Sequence, residues 1–316
     1  LLLWSGPGVT VRIDLNDIRL LMQVVESGSF TAASRALGVP KSTISQRIAA
    51  LERAVGTGLL RRTSRSFSLT EAGSLLLPHA RAIDDLSHKI HQALLEQGPD
   101  VAGTLRVSSS VVLAQFALAT LVPKFLAEHR RVVIQVDVSN STVDLIGGGF
   151  DMAVRGHLGP LKDSTLLQRV VARTPWSLAA SPGWIAAHGA PTSPGELPAD
   201  EVLCCPAADA APWRLGAGAD AVTVAMRPRL LSDDMVTLRD AAIAGAGITC
   251  LPTYVMASAL RAGLLVPLLA EWPPRPSSIS VLTPPKLQSS RLAQAFSDFL
   301  AREMPRAVRG MERSGA

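Results

Sequence analysis

The sequence predicts an N-terminal, mainly α-helical winged helix-turn-helix continued by one long helix, and then a two-lobed α/β domain. Three observations carry this expectation. Apolar residues recur at helical spacing through residues 15–94, interrupted once by a short alternating pattern at 59–69. From Thr104 onward, apolar strands alternate with helical stretches. The length, 316 residues, suits two domains at roughly 150 residues each.

Composition narrows the class. Hydrophobic residues make up 47% and charged residues 18% of the chain, which excludes a disordered or highly solvated protein. Aromatic residues are 4%, too few for a stacking platform that binds single-stranded nucleic acid. The net charge of +5 is concentrated: residues 31–70 carry Arg35, Lys41, Arg47, Arg53, Arg61, Arg62 and Arg65 against Glu52 alone, an excess of +6. Cys204, Cys205 and Cys250 form an odd set without a CxxC spacing. Such usage suits buried, inert thiols in a reducing cytoplasm.

Taken in order, residues 1–13 lack the basic flank and long apolar core of a signal peptide and are expected to be a disordered leader. Leu15, Ile18, Leu21, Met22 and Val25 mark a first helix that stops at Gly28. Thr31 is expected to cap a second, short helix ending at Gly38. A third helix, Lys41 to Val55, places Ile44, Ile48, Leu51 and Val55 on one face and leaves Ser42, Ser45, Gln46 and Arg53 off it. Leu59 to Leu69 reads as a small hairpin with a basic centre. A helical pattern then runs from Thr70 to about Gly98, with Leu76, Ala80, Ile83, Ser87, Ile90 and Leu94 spaced alternately by four and three. That spacing is a two-stranded coiled-coil seam, and Pro78 in its first turns predicts a kink or a late start.

Beyond Gly98-Pro99-Asp100, strands are expected at 105–107, 132–138 and 150–154, with a helix at 112–128 and a short helix ending at Gly147. The sheet is expected to be mainly parallel. After a Pro/Gly-rich stretch at 182–198, a second set comprises strands at 201–205, 222–226 and 248–251 with a helix at 235–245. A strand at 279–282 and a helix at 289–302 close the domain. The expected organisation is therefore a winged helix-turn-helix at 14–72, a linker helix at 73–98, a hinge at 99–103, lobe I at 104–176 and 280–304, lobe II at 177–279, and a tail at 305–316. Ala241 to Leu260 carries no charge over about a bilayer's length. Gly245, Gly247 and Pro252 interrupt it, which predicts a buried helix, turn and strand and no membrane span.

The chemistry is concentrated in the third helix. A recognition helix brings short donors at its N-terminus to phosphates and longer arms to base edges in the major groove. Ser42, Thr43 and Ser45 suit the first task, and Gln46 and Arg47 the second, Gln matching adenine and Arg guanine. Arg62 and Arg65 suit phosphate or a narrow minor groove. Taken alone these residues also describe a solvated helix face. The hairpin and the local charge favour the interface reading.

The run Phe30-Thr31-Ala32-Ala33-Ser34-Arg35-Ala36-Leu37-Gly38-Val39-Pro40-Lys41-Ser42-Thr43-Ile44-Ser45-Gln46-Arg47-Ile48, with Leu51-Glu52 and Leu69-Thr70-Glu71-Ala72-Gly73, resembles the DNA-binding domain of the LysR-type transcriptional regulators. Leu60 departs from the Phe usual before the family's wing, and Gly58 is a further difference there. The resemblance implies DNA contacts at Thr31, Ala32, Lys41, Ser42, Thr43, Ser45, Gln46, Arg47, Arg62 and Arg65, and a dimer-forming linker helix, with dimers often paired into tetramers. It also implies a two-lobed, periplasmic-binding-protein-like (type 2) effector domain crossed twice by the chain, near 174–177 and 277–280.

In such sheets ligands sit beyond the C-terminal strand ends. Ser108, Ser109 and Ser110, and Asn140, Ser141 and Thr142, follow two strands where hydroxyls and helix N-terminal amides suit an anion. Simple helix capping is the competing account of these residues. The resemblance adds Arg155 and His157 as anion partners and Cys205, Asp233, Gly247 and Ile248 as cleft walls. The expected function is a bacterial, cytoplasmic regulator that binds an interrupted dyad in double-stranded DNA. It answers to a small anionic metabolite, self-associates, and as an activator contacts RNA polymerase. No metal or other cofactor is expected: His88 and His91 lack ligand partners, and Gly245-Ala246-Gly247 lacks the third glycine of a dinucleotide fingerprint. No GxSxG, P-loop or HExxH occurs to support an enzyme with an incidental helix-turn-helix. A ligand-independent architectural DNA-binding protein is the other competing reading.

Overall fold

The computed structural model describes residues 2–6, 9–62, 67–95, 101–141, 144–145, 147–159, 165–206, 212–216, 218, 221–287 and 290–313. The chain divides into two compact units, Leu1–Leu94 with Gly147–Gly149, and Leu95–Ile146 with Phe150–Ala316.

In the first unit, β1 (Leu2–Gly6) and β2 (Val9–Ile13) form an antiparallel ladder with Leu2 opposite Ile13. The stretch expected as a disordered leader thus carries paired strands, consistent with the alternation of Val9, Val11 and Ile13. Three helices follow: α1 (Leu15–Glu26), α2 (Phe30–Leu37) and α3 (Lys41–Val55). The cap of α2 is Ser29, not Thr31; Ser29 Oγ accepts the Ala32 N–H at 3.0 Å. Phe30 already occupies the first helical position, so Thr31 falls inside the helix and is exposed. Gly38 closes α2 at φ +63°, where a side chain would be strained. Ile18, Leu21, Val24, Ala33, Ile44, Ile48 and Leu51 form the buried centre. The hairpin is β3 (Leu60–Arg62) and β4 (Phe67–Leu69), with Leu60 opposite Leu69.

Helix α4 (Glu71–Leu95) is assigned continuously through Pro78, so the late start does not occur. Its expected seam is used differently. Ala80 is buried in this unit's own core, and Leu76 and Ile83 pack against the same core, while Ser87 is exposed. The side chains of Ile90 and Leu94 lie outside the described ones. The apolar residues that α4 leaves open, Leu75 at 69% and Leu86 at 58% exposure, are one register step earlier.

The second unit contains two five-stranded sheets. Sheet I has the order β6-β5-β7-β16-β8, built from β5 (Gly103–Ser109), β6 (Val132–Val138), β7 (Met152–His157), β8 (Leu167–Thr174) and β16 (Ser277–Thr283). Sheet II has the order β13-β10-β14-β9-β15, built from β9 (Trp176–Ala180), β10 (Val202–Cys204), β13 (Leu230–Leu231), β14 (Ile248–Pro252) and β15 (Val266–Leu268). In each sheet four strands run in one direction and one runs against them, β16 in sheet I and β9 in sheet II, as expected of mainly parallel sheets. The reversed strands are the ones the crossings deliver: β9 enters sheet II between β14 and β15, and β16 returns to sheet I between β7 and β8.

The outgoing crossing is at Pro175, between β8 and β9. The return precedes Ser277, which pairs with Thr174, three residues before the expected boundary at 280. Sheet II is flanked by a small hairpin of β11 (Trp213–Leu215) and β12 (Val222–Val224). Helix α7 is Pro182–His188. The charge-free run at 241–260 divides among α8 (Met235–Ile243), β14 and α9 (Thr253–Arg261). The described residues 145 and 147–149 are in turns and 144 is irregular, so none of them is in the expected short helix.

The helical run Val111–Glu128 comprises α5 (Val111–Leu113), a π turn (Ala114–Leu118) and α6 (Ala119–Glu128). It is long and apolar enough to cross a membrane. Its apolar side, however, is in the core of the unit, where Phe125 meets Phe296 edge-on at 4.9 Å between ring centroids. Phe296 belongs to α10 (Arg291–Arg313), which continues through Pro305 into the residues expected as a tail. Burial of Met304 and Val308 against sheet I holds that extension in place.

Candidate nucleic-acid interface and effector site

The N-terminus of α3 is preceded by Pro40, which supplies no side-chain cap. The first backbone amides of α3 therefore stand beside exposed Lys41 and Ser42 and half-buried Thr43, an arrangement suited to a phosphate. Ser34 Oγ donates to Val39 O at 2.7 Å and fixes the turn between α2 and α3. One turn into α3, Gln46 is exposed and Ser45 half-buried. Ala32 is half-buried.

Arg47, expected to reach a base edge, is paired with α1 in this structure. Its Nε donates to Asp17 Oδ1 at 2.5 Å, and its Nη2 lies 3.6 Å from Asp14 Oδ2. Asp17 is only 13% exposed, so the guanidinium is held against α1 and braces α3. Asp14 also accepts the Asn16 N–H, the main reason its carboxyl lies below the usual range, with Arg47 acting in the same direction. The expected effect of Arg47→Ala is accordingly a loss of up to about 1 kcal/mol of stability in the first unit. Thermal unfolding measures this directly, and a large loss of DNA affinity at unchanged stability would contradict it.

The wing is fastened to α3. Glu52 Oε1 accepts the N–H groups of Leu59 and Leu60 at 2.8 and 3.0 Å. Thr70 Oγ1 donates to Gly58 O at 2.7 Å and accepts the Gly73 N–H at 3.0 Å, so one hydroxyl both holds the hairpin and caps α4. A Cβ at Gly73 would lie 2.2 Å from Leu59 O, which only a glycine avoids. These roles for Asp17, Glu52 and Gly73 were not assigned from the sequence. Arg61 is exposed; the side chain of Arg62, and Arg65 altogether, lie outside the described residues.

In the second unit, Ser108, Ser110, Asn140, Arg155 and Asp233 come together at the C-terminal ends of β5, β6 and β7, and Thr142 lies outside the described residues. Arg155 Nη2 donates to Ser108 Oγ at 2.8 Å, and Nη1 donates to Ser139 O. Burial lowers the Arg155 pKa, and Asp137 acts in the opposite direction. Asn140 bridges the lobes: Oδ1 accepts the Val111 N–H at 3.1 Å, and Nδ2 donates to Asp233 O at 2.9 Å. At the start of the helical run, Ser110 Oγ is buried without a hydrogen-bond partner, and it does not cap the helix. Ser141 and the Asp233 side chain are exposed, and Ser109 is buried, its hydroxyl donating to Ser110 O.

His157 stands apart from this group. Because a carbonyl only accepts, the 2.5 Å contact to Gly159 O places the proton on Nδ1, leaving Nε2 to accept from Ser280 Oγ at 2.8 Å. Both ring nitrogens thus face protein groups, and the ring pins the turn at the end of β7. Two expected cleft walls are structural: Ile248 is fully buried in the core of sheet II, and a Cβ at Gly247 would meet Glu201 O at 2.3 Å. The close approach exists because the Ile248 N–H donates to that same carbonyl at 2.9 Å. Cys205 is half-buried. Burial raises Cys204 to about 11 and Cys250 further still, so neither thiol is poised for thiolate chemistry. Among the described residues no group of His, Cys, Asp and Glu is arranged to hold a metal.

Comparison with known proteins agrees with this architecture. Residues 15–74 match the family described as bacterial regulatory helix-turn-helix protein, lysR family, and residues 99–305 match the LysR substrate binding domain. An HTH-type transcriptional regulator of Xanthomonas campestris pv. campestris is 32% identical over 297 residues, 91% of this chain and 84% of that protein. The Escherichia coli K12 transcriptional activator AaeR is 30% identical over 85% of this chain and 86% of its own length. Among solved structures, the full-length virulence activator AphB of Vibrio cholerae aligns with a TM-score of 0.65 at 28% identity, covering 91% of this chain and 98% of AphB. The LysR-type regulator CrgA of Neisseria meningitidis aligns at 0.58 and 28%, covering 93% and 99%.

Proposed function

The chain belongs to the LysR family of bacterial transcriptional regulators, with a helix-turn-helix for DNA and a substrate-binding domain for an effector, and we propose that its effector is a small anionic metabolite held between the lobes. The carrying observation is the buried, unpartnered Ser110 hydroxyl at the start of the helical run Val111–Glu128. A buried hydroxyl without a partner costs about 1–3 kcal/mol, and an anion oxygen at a helix N-terminus would satisfy it. Arg155 supports the same sign of ligand, since its hydrogen bonds run to a hydroxyl and to backbone carbonyls, all neutral acceptors.

Asn140 is the coupling element in this reading, because its side chain touches both the helix start and the opposite lobe. Effector binding that rearranges this bridge would favour one lobe arrangement over the other, and that difference in affinity sets the regulatory output. On DNA, the α3 amides and Lys41, Ser42 and Thr43 hold phosphates while Gln46 reads a base edge of one half of an interrupted dyad. The exposed α4 stripe of Leu75, Ala82 and Leu86 meets its counterpart in a second copy, replacing the seam expected at Leu76, Ala80 and Ile83. The protein works in the cytoplasm, and as an activator it contacts RNA polymerase.

The test is Ser110→Ala. Without effector the variant should be as stable as the parent or up to about 1 kcal/mol more stable, since a hydroxyl without a partner is removed. In thermal titrations with a panel of small carboxylates, the stabilisation seen in the parent should be lost. Loss of stability without ligand, or an unchanged titration, would contradict the assignment.

A further inference from the structure

Successive residues of β10 and β14 face two different cores. Leu203 and Leu251 join α8 and α9 on one face of sheet II, whereas Val202, Cys204, Ile248 and Cys250 join Trp184 and Trp213 on the other. The two strands are parallel, with Val202 beside Ile248 and Leu203 beside Thr249, so the next step of the register sets Cys204 beside Cys250. A third sulfur completes the group. The Cys204 thiol is directed at Met226 Sδ, 4.0 Å away, and Met226, which follows β12, packs half-buried against the same core. Cys205, on the opposite face of β10, packs against the other core.

Two thiols and a thioether are the soft ligands that select copper(I) over harder cations. Zinc takes four ligands in a tetrahedron, and these three sulfurs sit among apolar side chains that offer no fourth. Metal–thiolate bonds of about 2.3 Å place two sulfurs on opposite sides of one ion about 4.6 Å apart, close to the spacing of about 4.8 Å between paired strands. We infer that Cys204, Cys250 and Met226 form a copper(I) site within lobe II, with the two thiolates as main ligands and the thioether as the third.

Without an ion both thiols keep their protons, because burial raises each of them. On uptake each proton passes to solvent as its sulfur bonds the ion, so two protons leave per copper(I) and the complex carries one negative charge. Cys250 lines a cavity together with Arg214 and Arg275, which gives the ion a way in and sets two guanidiniums where they offset that charge. The bound ion ties β10 to β14 and to the segment after β12, all inside one lobe. The inference does not depend on the strand-end anion site.

The experiment is an anaerobic titration of the full-length protein with copper(I) in competition with a chromogenic copper(I) chelator, followed by native mass spectrometry and thermal unfolding. One ion per chain and a rise in Tm are expected, and zinc should give neither. Cys204→Ala and Cys250→Ala should each weaken uptake at least about a hundredfold. Met226→Leu, which keeps the volume and removes only the sulfur, should weaken it about tenfold and leave the metal-free Tm unchanged. Cys205→Ala should take up copper(I) as the parent does. No uptake by the parent, an equal response to zinc, full affinity in Met226→Leu or in either of the Cys204 and Cys250 variants, or loss of uptake in Cys205→Ala would overturn the proposal.

Discussion

Gln46→Ala is expected to lower affinity for the specific operator by one to two orders of magnitude, the about 1–3 kcal/mol carried by a bidentate base contact. Binding to unrelated DNA and the salt dependence of binding should stay as in the parent, because no phosphate contact is removed. Stability should also be unchanged, since Gln46 is exposed and lies outside the first unit's core. The prediction rests on a division of labour within α3. Arg47, the other long arm at this level, is turned back to Asp17 at 2.5 Å and is occupied in joining α3 to α1. Titration of both variants against a specific and a scrambled site separates the roles: Gln46→Ala loses discrimination, whereas Arg47→Ala loses stability.

The second large effect is expected at Gly73. Its replacement by alanine puts a methyl group 2.2 Å from Leu59 O and 2.8 Å from Leu69 Cδ2. Relief requires moving the start of α4 or the wing, where Thr70 already joins the two through Gly58 O and the Gly73 N–H. A loss of about 3 kcal/mol is expected, and hence a fall of about 10–20 °C in the unfolding of the first unit. DNA binding at physiological temperature should fall with it. Gly58→Ala is the matched control: a Cβ there meets nothing within 4 Å, and that variant should behave as the parent.

Much of the first unit was legible because its signals are local. The apolar face of α3 and the alternation around the hairpin fix those elements without reference to distant residues. What was missed depends on partners far along the chain. The Arg47 ion pair could not be read because its partner, Asp17, lies thirty residues earlier. The seam on α4 has the spacing of a coiled coil whether its partner is another chain or the helix-turn-helix core, and burial of Ala80 decides for the core. Ser29 and Thr31 are both capable caps, and the choice fell to whichever preceded the first helical residue, Phe30.

The effector unit shows the same division. The strand ends at Ser108 and Asn140 were found from pattern and topology rules. Ile248 and Gly247 were expected as cleft walls from the family resemblance, but one fills the core of sheet II and the other admits the Glu201 carbonyl. Residues 305–316 were expected as a tail, whereas α10 passes through Pro305 to Arg313 because Met304 and Val308 have a surface to bury against.

The central claim, that this regulator reads a specific operator through α3, is tested most directly by selecting bound fragments from the source genome with purified protein at two salt concentrations. The account predicts enrichment of fragments containing an interrupted dyad that persists at the higher salt and disappears with Gln46→Ala. Uniform retention of all fragments, lost as salt rises and indifferent to Gln46→Ala, would mean electrostatic binding alone and would contradict it.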